Sequence, residues 1–277
     1  MQRASQEEGT PTQHLQELKE FLTSNVMRRF NEEDLTFMAL NSFEFQLEIL
    51  ECLRLVFTFV SDTNGNNYLV IYISSIMYHA YPEERAECRD RLGLTGSTTL
   101  QLVQKIARKC RKFYKRIYPK TFITLEDASV IRYQTDPRRP HLPTAISFSV
   151  LKLLAEGQSW YNQYGFKAVS DENWPNPDLD REELIKTNLR RLRNERSSLD
   201  NTISNRRQAR RFLEELKRTP DMILTEEQTQ FVKHVSQWTR QIAAHPLFSY
   251  NKHLTIEVVS SKRRQTEDDR VTKKRKT

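Results

Sequence analysis

The chain has 277 residues, of which 37 % are hydrophobic and 10 % aromatic; this is enough apolar material for one large domain or two small ones and excludes global disorder. Mean hydropathy is −0.72, and the longest apolar run, 68–77, carries Ser74 and Ser75 and is about half the ~20 residues a membrane helix needs, so no membrane partner is expected. A net charge of +8 and a pI of about 9.4 favour polyanionic partners, whether nucleic acid, acidic proteins or phosphorylated cofactors.

Residues 1–13 are polar, lack the apolar stretch of a secretory signal, and read as a loose tail. From 14 to 30, Leu15, Leu18, Phe21, Leu22, Val26 and Met27 recur at helical spacing. The period then changes: Phe43, Phe45, Leu47 and Ile49 alternate with Glu44, Gln46 and Glu48, as in a half-buried strand. A second strand over 53–60 runs into a polar turn holding Asn64-Gly65, whose ease with positive φ predicts a hairpin. The following strand, 68–76, is apolar on both faces and suits the middle of a sheet.

An irregular stretch, 81–96, leads to a helix over 98–114 with Ser97 as its N-cap. A strand over 121–125 ends in Glu126-Asp127-Ala128-Ser129. Beyond Pro137, Pro140 and Pro143, a helix is expected over 144–161, closing near Gly165. After a turn at 173–178, Leu184, Ile185, Leu189, Leu192, Leu199, Ile203, Leu213 and Leu216 predict one long amphipathic helix or two across 180–217. A further helix over 225–244 and a strand over 254–259 follow, and 261–277 has too little apolar content to fold. The expected organisation is a tail (1–13), a main domain (14–172), a basic helical extension (173–260) and a basic tail (261–277).

Cys52, Cys88 and Cys110 are far apart, odd in number and without metal-ligand spacing. Neither a disulfide framework nor a zinc site is expected, and a reducing, intracellular compartment fits.

Of six glycines, Gly93 and Gly96 fall between a strand and a helix. A glycine loop at a helix N-terminus offers unpaired N–H groups and a positive dipole end, which suits a pyrophosphate. Thr95, Ser97, Thr98 and Thr99 add hydroxyls. The plainer reading of the same residues is a connection with a serine cap. His79, His141 and the pair Glu126 and Asp127 are weaker candidates, since no Ser-His-Asp pattern can be assembled around them.

The segment Ser159-Trp160-Tyr161-Asn162-Gln163-Tyr164-Gly165-Phe166 resembles the region near the end of GNAT acetyltransferases, where a tyrosine-bearing helix precedes a Gly-Phe pair. Pro82-Glu83-Glu84-Arg85 is similar to the Pro-Glu often seen after that family's third strand. Ile123 to Ser129 resembles its fifth strand, which splays from the fourth to admit pantetheine. The order of elements over 14–170 is similar too, and a narrower likeness is to acetyltransferase-like proteins of large DNA viruses. The resemblance implies an α/β fold with a mixed, mostly antiparallel sheet flanked by helices, carrying a helical C-terminal extension. It implies acetyl-CoA as cofactor, held by Gly93, Thr95, Gly96, Ser97, Thr98, Leu125 and Asp127. Tyr161 would be the general acid toward the CoA thiolate, with an amine on a protein or small molecule as acceptor. Two departures stand beside it. The family's Gln/Arg-x-x-Gly-x-Gly/Ala loop is met in no register, Thr95 or Leu94 replacing the middle glycine, and Leu154 replaces an asparagine. Trp160, Tyr161 and Tyr164 read equally as an aromatic cluster packing a helix end.

Arg190, Arg191, Arg193, Arg196, Arg206, Arg207, Arg210 and Arg211 crowd the extension. At 100° per residue, Arg193, Arg196, Arg207 and Arg211 fall on one side, which suits a nucleic-acid backbone; the alternative is a solvated helix face, as no aromatic is interleaved to stack on bases. Lys262-Arg263-Arg264 and Lys273-Lys274-Arg275-Lys276 resemble a nuclear import signal, and equally a solvated tail.

Overall fold

The computed structural model describes residues 11–62, 65–76, 87–136, 138–139, 143–170, 174–177, 179, 181–194, 206–219, 224–243, 248 and 251–259. The expectations placed on residues 1–10, His79, Pro82 to Arg85, His141, Leu199, Ile203 and 261–277 lie outside the described residues.

Helix α1 (Pro11–Asn25) buries Leu18 and Leu22, and Val26 and Met27 continue its apolar stripe past the last turn. Four strands then form an antiparallel meander: β1 (Leu35–Ala39), β2 (Glu44–Ile49), β3 (Leu53–Ser61) and β4 (Asn67–Ile76). The register sets Phe37 opposite Leu47, Leu47 opposite Leu55, and Phe57 opposite Ile71. In β2 the alternation does what its spacing predicts, burying Phe45, Leu47 and Ile49. The β3–β4 turn is closed by Asp62, whose carboxylate accepts both the backbone N–H and the side-chain amide of Asn66 (2.8 and 2.9 Å). Strand β4 is buried on both faces: Tyr68 and Val70 pack with Phe122, while Leu69 and Ile71 alternate to the other side.

A single π-helical turn (Glu87–Arg91) precedes α2 (Gly96–Tyr114) and β5 (Lys120–Glu126). The N-cap of α2 is Thr95, not Ser97. Thr95 and Thr98 each accept the other's backbone N–H, so a second hydroxyl closes the capping box where glutamate or glutamine is usual. The helix buries Leu100, Val103, Ile106, Ala107 and Cys110 at helical spacing.

The cysteine expectation is corrected. Cys52 and Cys88 form a disulfide across 36 residues, which a reducing compartment does not favour; Cys110 is free and buried, and burial pushes its thiol pKa up. No spacing pattern marks that pair because it is made by tertiary packing: the π-turn lies against the β2–β3 turn. The nearly buried Asp34 fixes the same π-turn by taking Arg91 at 2.8 Å.

The helix expected over 144–161 is also corrected. Its first residues are β7 (Thr144–Ser147), which pairs with β6 (Val130–Tyr133), setting Ile131 opposite Ile146. Only Phe148–Glu156 is helix, α3, capped by Ser147 and ended by Gly157 at φ +76°. A 3-10 turn (Tyr161–Tyr164) and β8 (Lys167–Ala168) follow. The arginine-rich stretch is two helices, α4 (Arg181–Asn194) and α5 (Arg206–Arg218), and α6 (Glu226–Ala243) precedes β9 (His253–Glu257).

The fold class is as expected: a mixed α/β chain with a mostly antiparallel sheet in the order β1-β2-β3-β4-β5-β9-β8 and a separate β6–β7 hairpin. Packing divides the chain into two compact units. One holds α1, β1–β4, α2 and β5 as far as Ile123; the other runs from Thr124 through Ile256 and holds β6–β8 and α3–α6. In the second unit Ile146, Leu151, Leu154, Phe212, Leu213, Val232, Val235 and Trp238 form one core. No helix among the described residues is long and apolar enough to cross a membrane.

The disulfide closes a loop that contains the whole β3–β4 hairpin. Replacing Cys52 and Cys88 together with alanine should lower unfolding free energy by about 2–4 kcal/mol, the usual effect of removing such a constraint from the unfolded chain. Urea unfolding under non-reducing conditions checks this, and an unchanged midpoint counts against the bridge.

Candidate functional site

Tyr161 stands at the start of the 3-10 turn and not on a helix. The buried Asn162 builds that turn: its Oδ1 accepts the Ser159 N–H (2.6 Å) and its Nδ2 donates to the Phe166 carbonyl (2.8 Å). Gly165, at φ +91°, lets the chain reverse into Phe166 and β8. The Tyr161 ring sits edge-on to Trp160 and to Phe166, with centroids 5.0 and 5.9 Å away, and its N–H donates to the Ser159 hydroxyl (3.2 Å). These rings pack the turn together edge to face.

Asp127 is the second titratable group of this region, only 4 % exposed. Its Oδ1 accepts the hydroxyl (2.6 Å) and N–H (3.2 Å) of Ser129, while its own N–H donates to the Lys252 carbonyl (2.6 Å). Burial raises its pKa, and hydrogen bonds from Ser129 and Ser159 oppose the rise. The Tyr161 phenol is pushed up as well, first by burial and then by the Asp127 charge. Asp127 Oδ2 has no hydrogen-bond partner and lines a cavity of about 20 Å³ with Ser149, Ser159, Asn251 and Lys252, about the room one water needs.

The glycine loop belongs to the other unit. Gly93, at φ +65°, donates its N–H to Arg89 and so ends the π-turn. Thr98 Oγ1 donates to the Gly93 carbonyl (2.7 Å) and accepts the Thr95 N–H (2.7 Å), while Thr95 Oγ1 accepts the Thr98 N–H. Both threonine hydroxyls are thus engaged in capping. Gly96 and Ser97 supply the remaining first-turn N–H groups of α2. Leu125 is buried within β5, and because the Asp127 N–H is taken by Lys252, this residue offers no backbone donor to a pantetheine amide.

The arginines separate by use. Arg206 and Arg210 each donate Nε to the Ala155 carbonyl (2.8 and 3.2 Å), closing the negative end of α3. Arg207 and Arg211 are exposed on α5. Arg196 and the side chain of Arg193 lie outside the described residues.

Sequence reading missed three buried polar residues. Asn162 builds the tyrosine turn, and Asn188 and Asn251 bond each other reciprocally (2.8 and 3.1 Å). Asn188 Nδ2 also donates to the Gly157 carbonyl (3.0 Å). The only local signal was an asparagine within an apolar helix stripe, at Asn188.

No protein-family model, no curated protein and no solved structure matches this chain.

Folding raises the Asp127 pKa above its ordinary 3.8, so its contribution to stability is complete below that value and is lost as pH rises through the raised one. Asp127→Asn removes the charge and keeps an acceptor for Ser129. Relative to wild type, its melting temperature should climb as pH rises above about 4. Parallel curves for the two proteins would refute the shift.

Proposed function

We propose that the protein transfers an acyl group from acetyl-CoA to an amine, with Tyr161 as hydrogen-bond donor to the departing sulfur. The observation that carries this reading is the Tyr161 environment: a half-buried phenol beside Asp127, on the turn that leads through Gly165-Phe166 into β8. Burial and the nearby carboxylate keep the phenol protonated throughout the physiological range, which is the form a donor needs. A general acid works best with a pKa near the working pH. A phenol with a raised pKa still donates a hydrogen bond to the developing thiolate but is less suited to complete proton transfer.

The amine attacks the thioester carbonyl, the carbon–sulfur bond breaks, and the electron pair leaves on sulfur toward the Tyr161 O–H. The amine's surplus proton needs a base. Asp127 supports that role only through solvent: it is buried, keeps one oxygen without a hydrogen-bond partner, and lines a cavity with room for about one water. In the other unit, and by themselves, the Gly96 and Ser97 N–H groups at the start of α2 would suit a phosphate, the Thr95 and Thr98 hydroxyls being engaged in capping. The basic clusters at 262–264 and 273–276 favour a nuclear or nucleocytoplasmic location, and the Cys52–Cys88 bridge weighs against a reducing one.

A second reading has its own observation. Arg207 and Arg211 are exposed, and neither is in an ion pair among the described residues, so a catalytically inactive scaffold of this fold can engage nucleic acid, or a nuclear protein, through them.

Two experiments separate the readings. Acetyl-CoA at 100 times its dissociation constant should add about 2.7 kcal/mol to stability. Tyr161→Phe should keep that shift and lose turnover by about 10²-fold, the low end of the range for general acids. No shift with any acyl-CoA removes the first reading. For the second, the double change Arg207→Glu and Arg211→Glu should weaken nucleic-acid binding and flatten its dependence on log salt by about 2. A wild type with no salt-sensitive binding removes it.

A further inference from the structure

Strand β1 has features that neither reading uses. Among the described strands it has a neighbour on one side only, β2. Leu50 N–H donates to the Asp34 carbonyl and Leu40 N–H to the Glu44 carbonyl, so with the β1–β2 register the even-numbered residues bond β2. In an antiparallel ladder the intervening residues then direct N–H and C=O the other way. The outward set is the Leu35 carbonyl and both backbone groups of Phe37 and Ala39, the Leu35 N–H being donated to the Glu32 carbonyl.

Edge strands are normally blunted by charge, proline or a covering segment. Here Leu35 to Phe43 carry no charged side chain, and Met38, Leu40 and Phe43 are 46, 45 and 64 % exposed. Beside the strand runs an open groove of about 570 Å³, walled by Lys19, Glu20 and Thr23 of α1 and by Leu35 and Phe37 of β1. An unpaired edge, a run of exposed apolar residues and an adjoining half-apolar groove therefore coincide. A strand added to this edge would place alternate side chains in the groove.

We infer that the added strand is β1 of a second copy of this chain, paired antiparallel about a two-fold axis at Phe37. The outward residues are centred on Phe37, so each copy meets the other in register: the two Phe37 residues exchange both backbone bonds, and the Ala39 N–H of each copy donates to the Leu35 carbonyl of the other, the Leu35 N–H staying with Glu32. No like charges are brought together along the strand, and the two phenylalanine rings lie side by side at the axis. Leu35 and Phe37 of each copy fill the groove space that a single copy leaves open. The groove walls carry both signs, Lys19 against Glu20 and Glu32, so a two-fold mate offers each wall its complement. The net charge of +8 opposes approach only at long range, because salt screens beyond about 8 Å. The inference does not depend on the acyl-transfer reading.

Sedimentation of the full chain against concentration provides the test. Wild type should be a dimer that dissociates on dilution. Phe37→Lys and Phe37→Glu each place like charges face to face and should weaken self-association by about a hundredfold or more. An equimolar mixture of those two variants should recover a dimer, because only pairing about Phe37 sets the opposite charges against each other. Ala39→Pro removes an outward N–H and spares the β1–β2 ladder, so it should also be monomeric, with the circular dichroism of the folded protein. A wild type that stays monomeric at its highest attainable concentration overturns the inference and leaves the edge to a different partner. Dimers that persist in Phe37→Lys, Phe37→Glu and Ala39→Pro overturn it too, since the contact then lies elsewhere.

Discussion

Two buried amides that satisfy each other hold the second unit in place. Asn188 on α4 and Asn251 just ahead of β9 are nearly without solvent access, and each amide left unpaired there would cost about 1–3 kcal/mol. Their reciprocal bonds, with the third from Asn188 to the Gly157 carbonyl, locate α4, the entry to β9 and the end of α3 against one another. Gly157 is tightly packed there: a Cβ on it would lie 2.8 Å from Leu189 Cγ, and its backbone is left-handed. Tertiary satisfaction of a few polar groups, more than local propensity, decides how these helices sit.

The same requirement reshapes the charge of the protein. Helix α3 ends with carbonyls that need donors, and Arg206 and Arg210 supply them at Ala155. Part of the arginine stretch therefore works as a helix terminator, while Arg206 and Arg210 stay exposed and charged. Near Tyr161 the logic runs the other way. Asp127 is held by Ser129 on one oxygen and left unmatched on the other, so the region keeps a carboxylate whose charge is costly and whose proton is held more tightly than usual. Of the few buried side-chain polar atoms left without a partner among the described residues, this carboxylate oxygen is the one in the region of the phenol.

Strands with a one-sided or two-sided apolar pattern were legible in the sequence. The alternation at Phe45, Leu47 and Ile49 and the Asn-Gly turn placed β2, β3 and β4 closely. β1 escaped because both its faces are partly exposed, so no alternation sets it apart. β6 and β7 escaped because Thr144 to Ser147 run without a break into the apolar residues of α3, and only the partner at Val130 to Tyr133 makes them a strand. At the candidate site, Tyr161 and Asp127 were visible as residue types. The Asn188–Asn251 pair, 63 residues apart, and the Cys52–Cys88 bridge were not, because both are products of packing and leave no local trace. Thr95 was passed over as a cap because its partner at the third helical position is Thr98 and not an acid or amide.

The bridge between Cys52 and Cys88 encloses two of the four strands of the meander. A single peptide-bond cut anywhere between those residues leaves the pieces covalently joined. Nicked chains would then migrate as intact polypeptide until a thiol is added, and the β3–β4 hairpin tip could be clipped without releasing either half. In an environment rich in proteases, the lifetime of the fragments as one body is set by the redox state around that bond and not by the cut itself.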